Sequence, residues 1–247
     1  MVKAKSGPVV GIVGGKGKMG RLLAKLFKRR GLEVSVSDLH TRLTNARLVE
    51  ACDIVFFSLP FKQALRVIPR IAPLANPGAL LCDLTSVQEK TVSLLARHAP
   101  RGVGVSGVHP MFGPDVPSMK GQPVFICPVR ANPWLGFLKR IFKGAGLRLH
   151  VFSPREHDRL TAVLQAGVYL NALAFAGRLA DNGISLRQAR RLATPNGQQL
   201  LDLMESVLGL DAWLVQSILF GNRFVETPWR SERAFAREFK RLKEALA

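Results

Sequence analysis

Three groups of residues in this chain have the types and spacing for chemistry on a bound anion or alcohol. The first is a single imidazole. Val105-Ser-Gly-Val-His-Pro-Met-Phe-Gly-Pro-Asp115 opens as an apolar run suited to a strand, then breaks into a loop punctuated by Gly107, Pro110, Gly113 and Pro114. Pro110 disfavours helical geometry at His109, so the ring hangs from an extended, stiffened backbone where strand gives way to loop. With an ordinary pKa of about 6.5, such a group suits taking a proton from an alcohol as hydride leaves the same carbon. The second group is Gly15-x-Gly17-x-x-Gly20. This spacing lets Gly15 make a tight turn, Gly17 admit a pyrophosphate against the backbone and Gly20 pack helix on strand, while Lys16 and Lys18 add positive potential. The third is Asp38, eighteen residues beyond Gly20, near the roughly 20 expected of an acid that binds the adenosine ribose. A carboxylate there repels a 2′-phosphate and favours NAD. Arg42 nearby would favour NADP, so both cofactors stay open.

These groups need elements to hold them. Pro8 to Val13 reads as a buried strand and Arg21 to Lys28 as a helix, which sets the glycines in strand–turn–helix context. Glu33 to Ser37 is a second strand ending at Asp38. Asp53 to Pro60 is a strand running into a turn, followed by a helix from Phe61 to Ile71. Ala79 to Leu84 is a strand ending in Thr85-Ser86, followed by a helix from Val87 to His98. Val103 to Val108 leads to His109; Pro123 to Cys127, Trp134 to Lys143 and Leu147 to Val151 then read as strand, helix and strand. Alternation of this kind implies an α/β fold, a Rossmann-type doubly wound and mainly parallel sheet. Ser58, Ser86 and His109 then end strands over one crevice. Candidate cofactor contacts are therefore Gly15, Gly17, Lys18, Met19, Gly20 and Asp38, with Ser58, Leu59, Pro60 and Thr85 at the strand ends. Ser86 would orient the imidazole, hold a substrate hydroxyl or cap the following helix. His40, His98, His150 and His157 are expected to be structural. His157 falls in the first turn of a helix, where the dipole disfavours an imidazolium.

From Ser153 the pattern changes. Ser153-Pro-Arg-Glu156 is a capping box with proline at the first helical position, and its helix runs to about Asp181-Asn-Gly183. Leu160 to Gly177 carries no charge, which raises a membrane span. Thr161, Gln165, Asn171 and two glycines interrupt it, so the expectation is a buried helix at the centre of an α-domain. Leu186 to Ala193, Gly197 to Leu208, Ala212 to Gly221 and Arg230 to Leu246 read as further helices. The expected division is a NAD(P)-binding domain over 1–152 and an all-α substrate and dimerisation domain over 153–247. So much apolar surface on a small helical domain predicts a homodimer.

The 247 residues are 47% apolar and 21% charged, as in a globular protein with a sizeable core. Thirty-six basic against 17 acidic side chains give a formal charge of +19, a field that attracts anions from nucleic acid to polycarboxylates. The basic residues are dispersed, which favours small anions over specific nucleic-acid readout. Cys52, Cys82 and Cys127 lie in or beside apolar runs without metal-site spacing, so buried thiols in a reducing cytoplasm are expected. Met1 to Gly7 shows no apolar stretch of a signal peptide. Read from residues alone, the chain is an NAD-dependent dehydrogenase using His109. A noncatalytic NAD- or RNA-binding module is the alternative of a different class.

Gly107-Val-His-Pro-Met-Phe-Gly-Pro-Asp115, with Asp83-Leu-Thr-Ser-Val87 and Glu156-His-Asp158, resembles the prephenate dehydrogenase family along nearly the whole chain. The resemblance implies a Rossmann domain joined to a helical dimerisation domain. It also implies oxidative decarboxylation of prephenate to 4-hydroxyphenylpyruvate in tyrosine biosynthesis. By that resemblance His109 accepts the ring hydroxyl proton, Ser86 hydrogen-bonds the hydroxyl, and the dicarboxylate substrate meets Gly113, Gln165 and Tyr169. Two departures stand out. Counting from Thr194-Pro195, the family's substrate-holding arginine falls at Ser206, beside Glu205, and a family histidine is replaced near Val168-Tyr169. Arg187, Arg190, Arg191 and Arg223 are left as substitutes, or the substrate is arogenate or another hydroxy acid.

Overall fold

The computed structural model describes residues 7–246, so the opening residues read above for a leader lie outside it. The chain divides into two compact units, one ending at His157 and the other beginning at Asp158. This lies a few residues beyond the expected boundary, because the first turn of the long helix belongs with the sheet.

The first unit is a seven-stranded sheet: β1 (Val9–Val13), β2 (Glu33–Ser37), β3 (Ile54–Phe57), β4 (Leu80–Asp83), β5 (Gly104–Pro110), β6 (Pro123–Arg130) and β7 (Arg148–Val151). Their order is β2-β1-β3-β4-β5-β6-β7. The first five run parallel, β6 lies antiparallel to β5, and β7 is parallel to β6. The doubly wound expectation therefore holds, with reversed strands at one edge. From β1 the chain winds outward to β2, then returns to lay β3 on the other side. The crevice of such a sheet opens at that reversal, outside the carboxyl ends of the strands.

Alternation along each strand decides which helices it carries. In β3, Val55 and Phe57 pack with Leu48 and Val49 of α2 (Asn45–Ala51), Ala64 and Ile68 of α3 (Phe61–Ile71) and Val92 and Leu95 of α4 (Gln88–His98). Ile54 and Phe56 face the opposite layer, with Phe27 of α1 (Lys18–Arg29) and Phe142 of α5 (Pro133–Gly144). Phe27 is central to that layer, its ring centroid 5.2 Å from Phe56 and 6.1 Å from Phe142. Each such ring pair contributes about 0.5–1.5 kcal/mol beyond the area it buries. The sequence reading had no α2. Its signal is short: Thr44 accepts a bond from the Arg47 N–H at 3.3 Å, and only Leu48 and Val49 are buried, too few to show a helical period. All three cysteines are buried thiols.

The second unit is helical. A long helix is composed of α6 (Pro154–Thr161), a π-helical segment (Ala162–Gly167) and α7 (Val168–Asp181); α8 (Leu186–Leu192), α9 (Pro195–Leu208), α10 (Ala212–Gly221) and α11 (Glu232–Leu246) follow. The capping box forms as read: the Ser153 N–H donates to Glu156 at 2.9 Å, and the Glu156 N–H donates to Ser153 Oγ at 3.2 Å. Those hydrogen bonds hold the Glu156 carboxyl below its ordinary pKa. Thr194 caps α9 by accepting from the Gly197 N–H at 3.3 Å, so this helix starts before the expected Gly197. Ala166, Ala172, Leu173, Ala176 and Leu179 of the long helix enter one core with Leu201, Met204, Ile218 and Phe239. Its other side is open, with Val163 68% and Leu164 59% exposed, so it is not the helix buried on all sides that its composition suggested. By length and composition, 154–181 is also apolar enough to cross a membrane.

Two glycines of opposite character test this packing. A Cβ on Gly20 would stand 2.7 Å from the Gly14 carbonyl oxygen and 2.7 Å from Gly15 Cα, whereas one on Gly177 meets nothing within 4 Å. Gly20→Ala is expected to lower stability by about 1–3 kcal/mol through overpacking. Gly177→Ala should raise it by about 0.5–1 kcal/mol through helix propensity. Denaturant unfolding of the two variants checks both signs.

Candidate active site

The glycine turn is built by backbone approach. Gly14 is the residue with a left-handed backbone, φ 76°, and the Ser58 carbonyl oxygen lies 2.3 Å from where its Cβ would be. Gly14, not Gly15 as the spacing suggested, therefore makes the tight turn where the ends of β1 and β3 meet. Gly15 serves a different contact: its Cβ would fall 2.5 Å from Val36 of β2. The N–H groups of Gly14 and Gly15 both donate to the Ser37 carbonyl, at 2.8 and 3.2 Å. Gly17, the N-cap of α1, would meet only the Gly14 oxygen, at 3.3 Å, and its outer side stays open. Lys16 and Lys18 are exposed beside it and Met19 is half-buried.

Asp38 closes this turn. One carboxylate oxygen accepts from the Lys16 N–H at 2.8 Å and the other from the Leu39 N–H at 2.8 Å. The acid at the end of β2 thus fixes the glycine loop and keeps lone pairs for a further donor such as a ribose hydroxyl. An open helix N-terminus with no acidic residue in its first turn, a backbone free of Cβ atoms and an acid on the neighbouring strand together fit a dinucleotide. Gly15, Gly17, Gly20 and Asp38 would hold it. Ser58, Leu59 and Pro60 are half-buried at the end of β3.

At the end of β4 lies a buried carboxylate that sequence reading passed over. Asp83 Oδ2 accepts from the Thr85 N–H at 3.1 Å and the Thr91 hydroxyl at 2.7 Å, and the Thr85 hydroxyl also donates to it. The Thr85 side chain therefore turns inward onto Asp83, leaving only its backbone for a cofactor. Gln88 lies over the neighbouring strand where a Cβ on Gly107 would be 1.8 Å from its oxygen, so Gly107 makes room for it. Ser86 is half-exposed in the turn, but the helix cap falls at Val87, and among the described residues no hydrogen bond joins Ser86 to His109.

His109 lies inside β5, paired across the sheet with Phe125 of β6, and is 4% exposed. Its strand continues one residue further, to Pro110, so the ring stands on extended backbone at the carboxyl end of β5, next to the loop. Its Nδ1 is 2.9 Å from Nε2 of His157, a fully buried residue in the first turn of α6. Burial, and then the second imidazole, hold the pKa of His109 well below 6.5. This pairing brings His157, expected to be structural, against the candidate base. Its signal was the capping box, since Ser153 starts the helix and the His157 N–H donates to the Ser153 carbonyl at 2.9 Å.

Gly113 is exposed in the loop after β5. On the helical unit, Gln165 lies in the π-helical segment, and burial raises the hydroxyl pKa of Tyr169. Ser206 is exposed on α9. Arg190 binds Asp202 at 2.6 Å and also Glu205, so of the four arginines this one is already matched by two carboxylates. Arg187 and Arg191 are exposed, and Arg223 lies 4.8 Å over the Phe224 ring.

Comparison with known proteins agrees with this sheet. The family described as prephenate dehydrogenase, nucleotide-binding domain, matches residues 23–151, just over half of the chain. The "probable arogenate/prephenate dehydrogenase" of Methanocaldococcus jannaschii is 27% identical over 235 residues, 88% of this chain and 53% of that protein. The "T-protein" of Enterobacter agglomerans is 34% identical over 220 residues, 87% of this chain and 57% of that protein. The crystal structure of prephenate dehydrogenase from A. aeolicus, in complex with hydroxyphenyl propionate and NAD+, has the same fold. Its TM-score is 0.67 at 20% identity, covering 98% of this chain and 89% of that one. A nucleotide-binding α/β sheet followed by a helical unit is thus the class of protein. The chain belongs to the prephenate dehydrogenase family. It spans about half the length of the curated relatives it matches.

Asp83 gives a pH test of the site's scaffold. Burial raises its carboxyl from 3.8 to about 6, against opposing hydrogen bonds from Thr85, Thr91 and the Leu84 backbone. A folded-state pKa above the unfolded one gives stability that is present below pH 3.8 and lost as pH rises through about 6. Asp83→Asn lacks this titration, so relative to the variant the native chain should lose on the order of 2–3 kcal/mol between pH 4 and 7. Parallel denaturation profiles across that range would contradict it.

Proposed function

We propose that the chain is an NAD-dependent dehydrogenase that oxidatively decarboxylates prephenate, or arogenate, with His109 as the base. The observation that carries this reading is the buried His109 imidazole at the carboxyl end of β5, in the same sheet as the glycine turn. NAD+, when bound, would accept hydride from the ring carbon bearing the hydroxyl. His109 takes the hydroxyl proton at Nε2, since Nδ1 is occupied by His157. As the ring carboxylate leaves as CO2, its C–C bonding pair aromatises the ring, and the phenolate oxygen takes the proton back from His109. Hydride and CO2 account for the whole change, and the imidazole ends as it began. Ser86 would hydrogen-bond the reacting hydroxyl. Aromatisation makes the step downhill, so the protein's task is chiefly positioning.

The Asp38 carboxylate favours NAD over NADP by repelling a 2′-phosphate. Gln165 and Tyr169 are proposed substrate contacts on the helical unit, and Gly113 a third in the loop after β5. Ser206 and the committed Arg190 keep arogenate beside prephenate as substrate, with Arg187, Arg191 and Arg223 as cations for its carboxylates. The open apolar side of the long helix, with Val163 and Leu164, supports a homodimer through the helical domain. Cytoplasmic localisation is part of the same proposal.

NAD reduction on mixing the protein with prephenate or arogenate tests the activity, and absence of turnover with both would overturn it. His109→Asn is expected to slow hydride transfer by at least ~100-fold while leaving NAD affinity unchanged. Because His109 stays neutral below pH 6.5, kcat/KM should fall on the acid side with an apparent pKa under that value. Leu164→Glu should convert a light-scattering mass of two chains to one; an unchanged mass would place the interface elsewhere.

A further inference from the structure

Two buried imidazoles that meet through ring nitrogens share a single proton, and its position decides what the outer nitrogen of His109 can do. Nδ1 of His109 and Nε2 of His157 are 2.9 Å apart. If His157 donates, His109 accepts at Nδ1 and carries its own proton on Nε2, which is then a donor and no base. If His109 donates, its Nε2 keeps a free lone pair. That same hydrogen bond then survives when Nε2 takes up a proton, because the Nδ1–H already points at an acceptor. We infer that His157 is a positioning residue that accepts the Nδ1 proton of His109 and so fixes the tautomer in which His109 Nε2 is the base. The inference rests on the base assignment proposed above.

The surroundings of His157 suit a neutral acceptor. It sits in the first turn of α6, held by the capping box. The Phe125 ring meets it edge-on at 5.8 Å, and Phe125 also packs on Phe152 at 5.0 Å. Of the other titratable side chains, His150 lies beyond these rings, 5.9 Å from Phe125. On this side the imidazole meets aromatic rings. A charged carboxylate in this position would stabilise the His109 imidazolium more strongly. A neutral imidazole orients without raising basicity, consistent with the lowered pKa of His109.

The test reads the tautomer directly. The full chain is labelled with 15N-histidine, and long-range 15N–1H spectra are assigned with His109→Asn and His157→Gln. The expected spectrum shows His109 protonated at Nδ1 with Nε2 bare, and an Nε2–H tautomer in the native chain would overturn the inference. In kinetics, His157→Phe should lower kcat by about 100-fold or more through loss of the correct tautomer, with KM for NAD and substrate within about threefold. His157→Gln, whose amide oxygen can accept from Nδ1, should recover most of that loss. Native kcat in His157→Phe would overturn the role. If the native protein turns over neither prephenate nor arogenate, the proposed function fails, while the nitrogen spectrum still decides the pairing.

Discussion

A buried imidazole must have its inner nitrogen satisfied, and that requirement organises the carboxyl end of β5. His109 stands in the sheet between β4 and β6 with almost no exposure, and one partner reaches its Nδ1. That partner is delivered by an element the sheet does not own. The capping box at Ser153 starts α6 just after β7 ends, and one turn later His157 arrives opposite His109. This is why the first compact unit closes at His157 and not at the end of the last strand.

The nucleotide end of the sheet obeys a different constraint, the close approach of backbones. Gly14 leaves room for the Ser58 carbonyl, Gly15 for Val36, and Gly20 lets α1 settle on the turn. Asp38 then ties the loop through the Lys16 N–H, so the acid expected to select the cofactor also holds its cradle in shape. A third device lies between these ends. Asp83 is buried under Thr85 and Thr91 and sets the turn that carries Ser86. Asp38, Asp83 and His109 thus each hold a strand end through hydrogen bonds, although Asp83 Oδ1 is buried with none.

Much of this was legible in the sequence because it is local. Strand–turn–helix order, the glycine spacing, the capping box and the prolines around His109 each report through neighbouring residues. The reversal of β6 against β5 was not legible, since an apolar run such as Val124 to Cys127 reads alike in either direction. Nor was α2, where two buried side chains are too few to show a period. The assignment of the tight turn to Gly15 failed because spacing cannot say which of two adjacent glycines takes the left-handed backbone. His157 was missed for the strongest reason: its partner lies 48 residues earlier, and only the folded sheet brings them together. The long helix misled in another way. Its uncharged composition reads as burial on every side, yet Val163 and Leu164 remain exposed.

The central claim is that one sheet presents a dinucleotide at its glycine turn and a proton acceptor at His109 to the same reacting alcohol. A crystal structure of the chain with NAD+ and 4-hydroxyphenylpyruvate tests it most directly. The account predicts the pyrophosphate against Gly15 to Gly20, and the phenolic oxygen within about 3.2 Å of His109 Nε2. A product oxygen held by another group, with Nε2 facing no ligand atom, would contradict it.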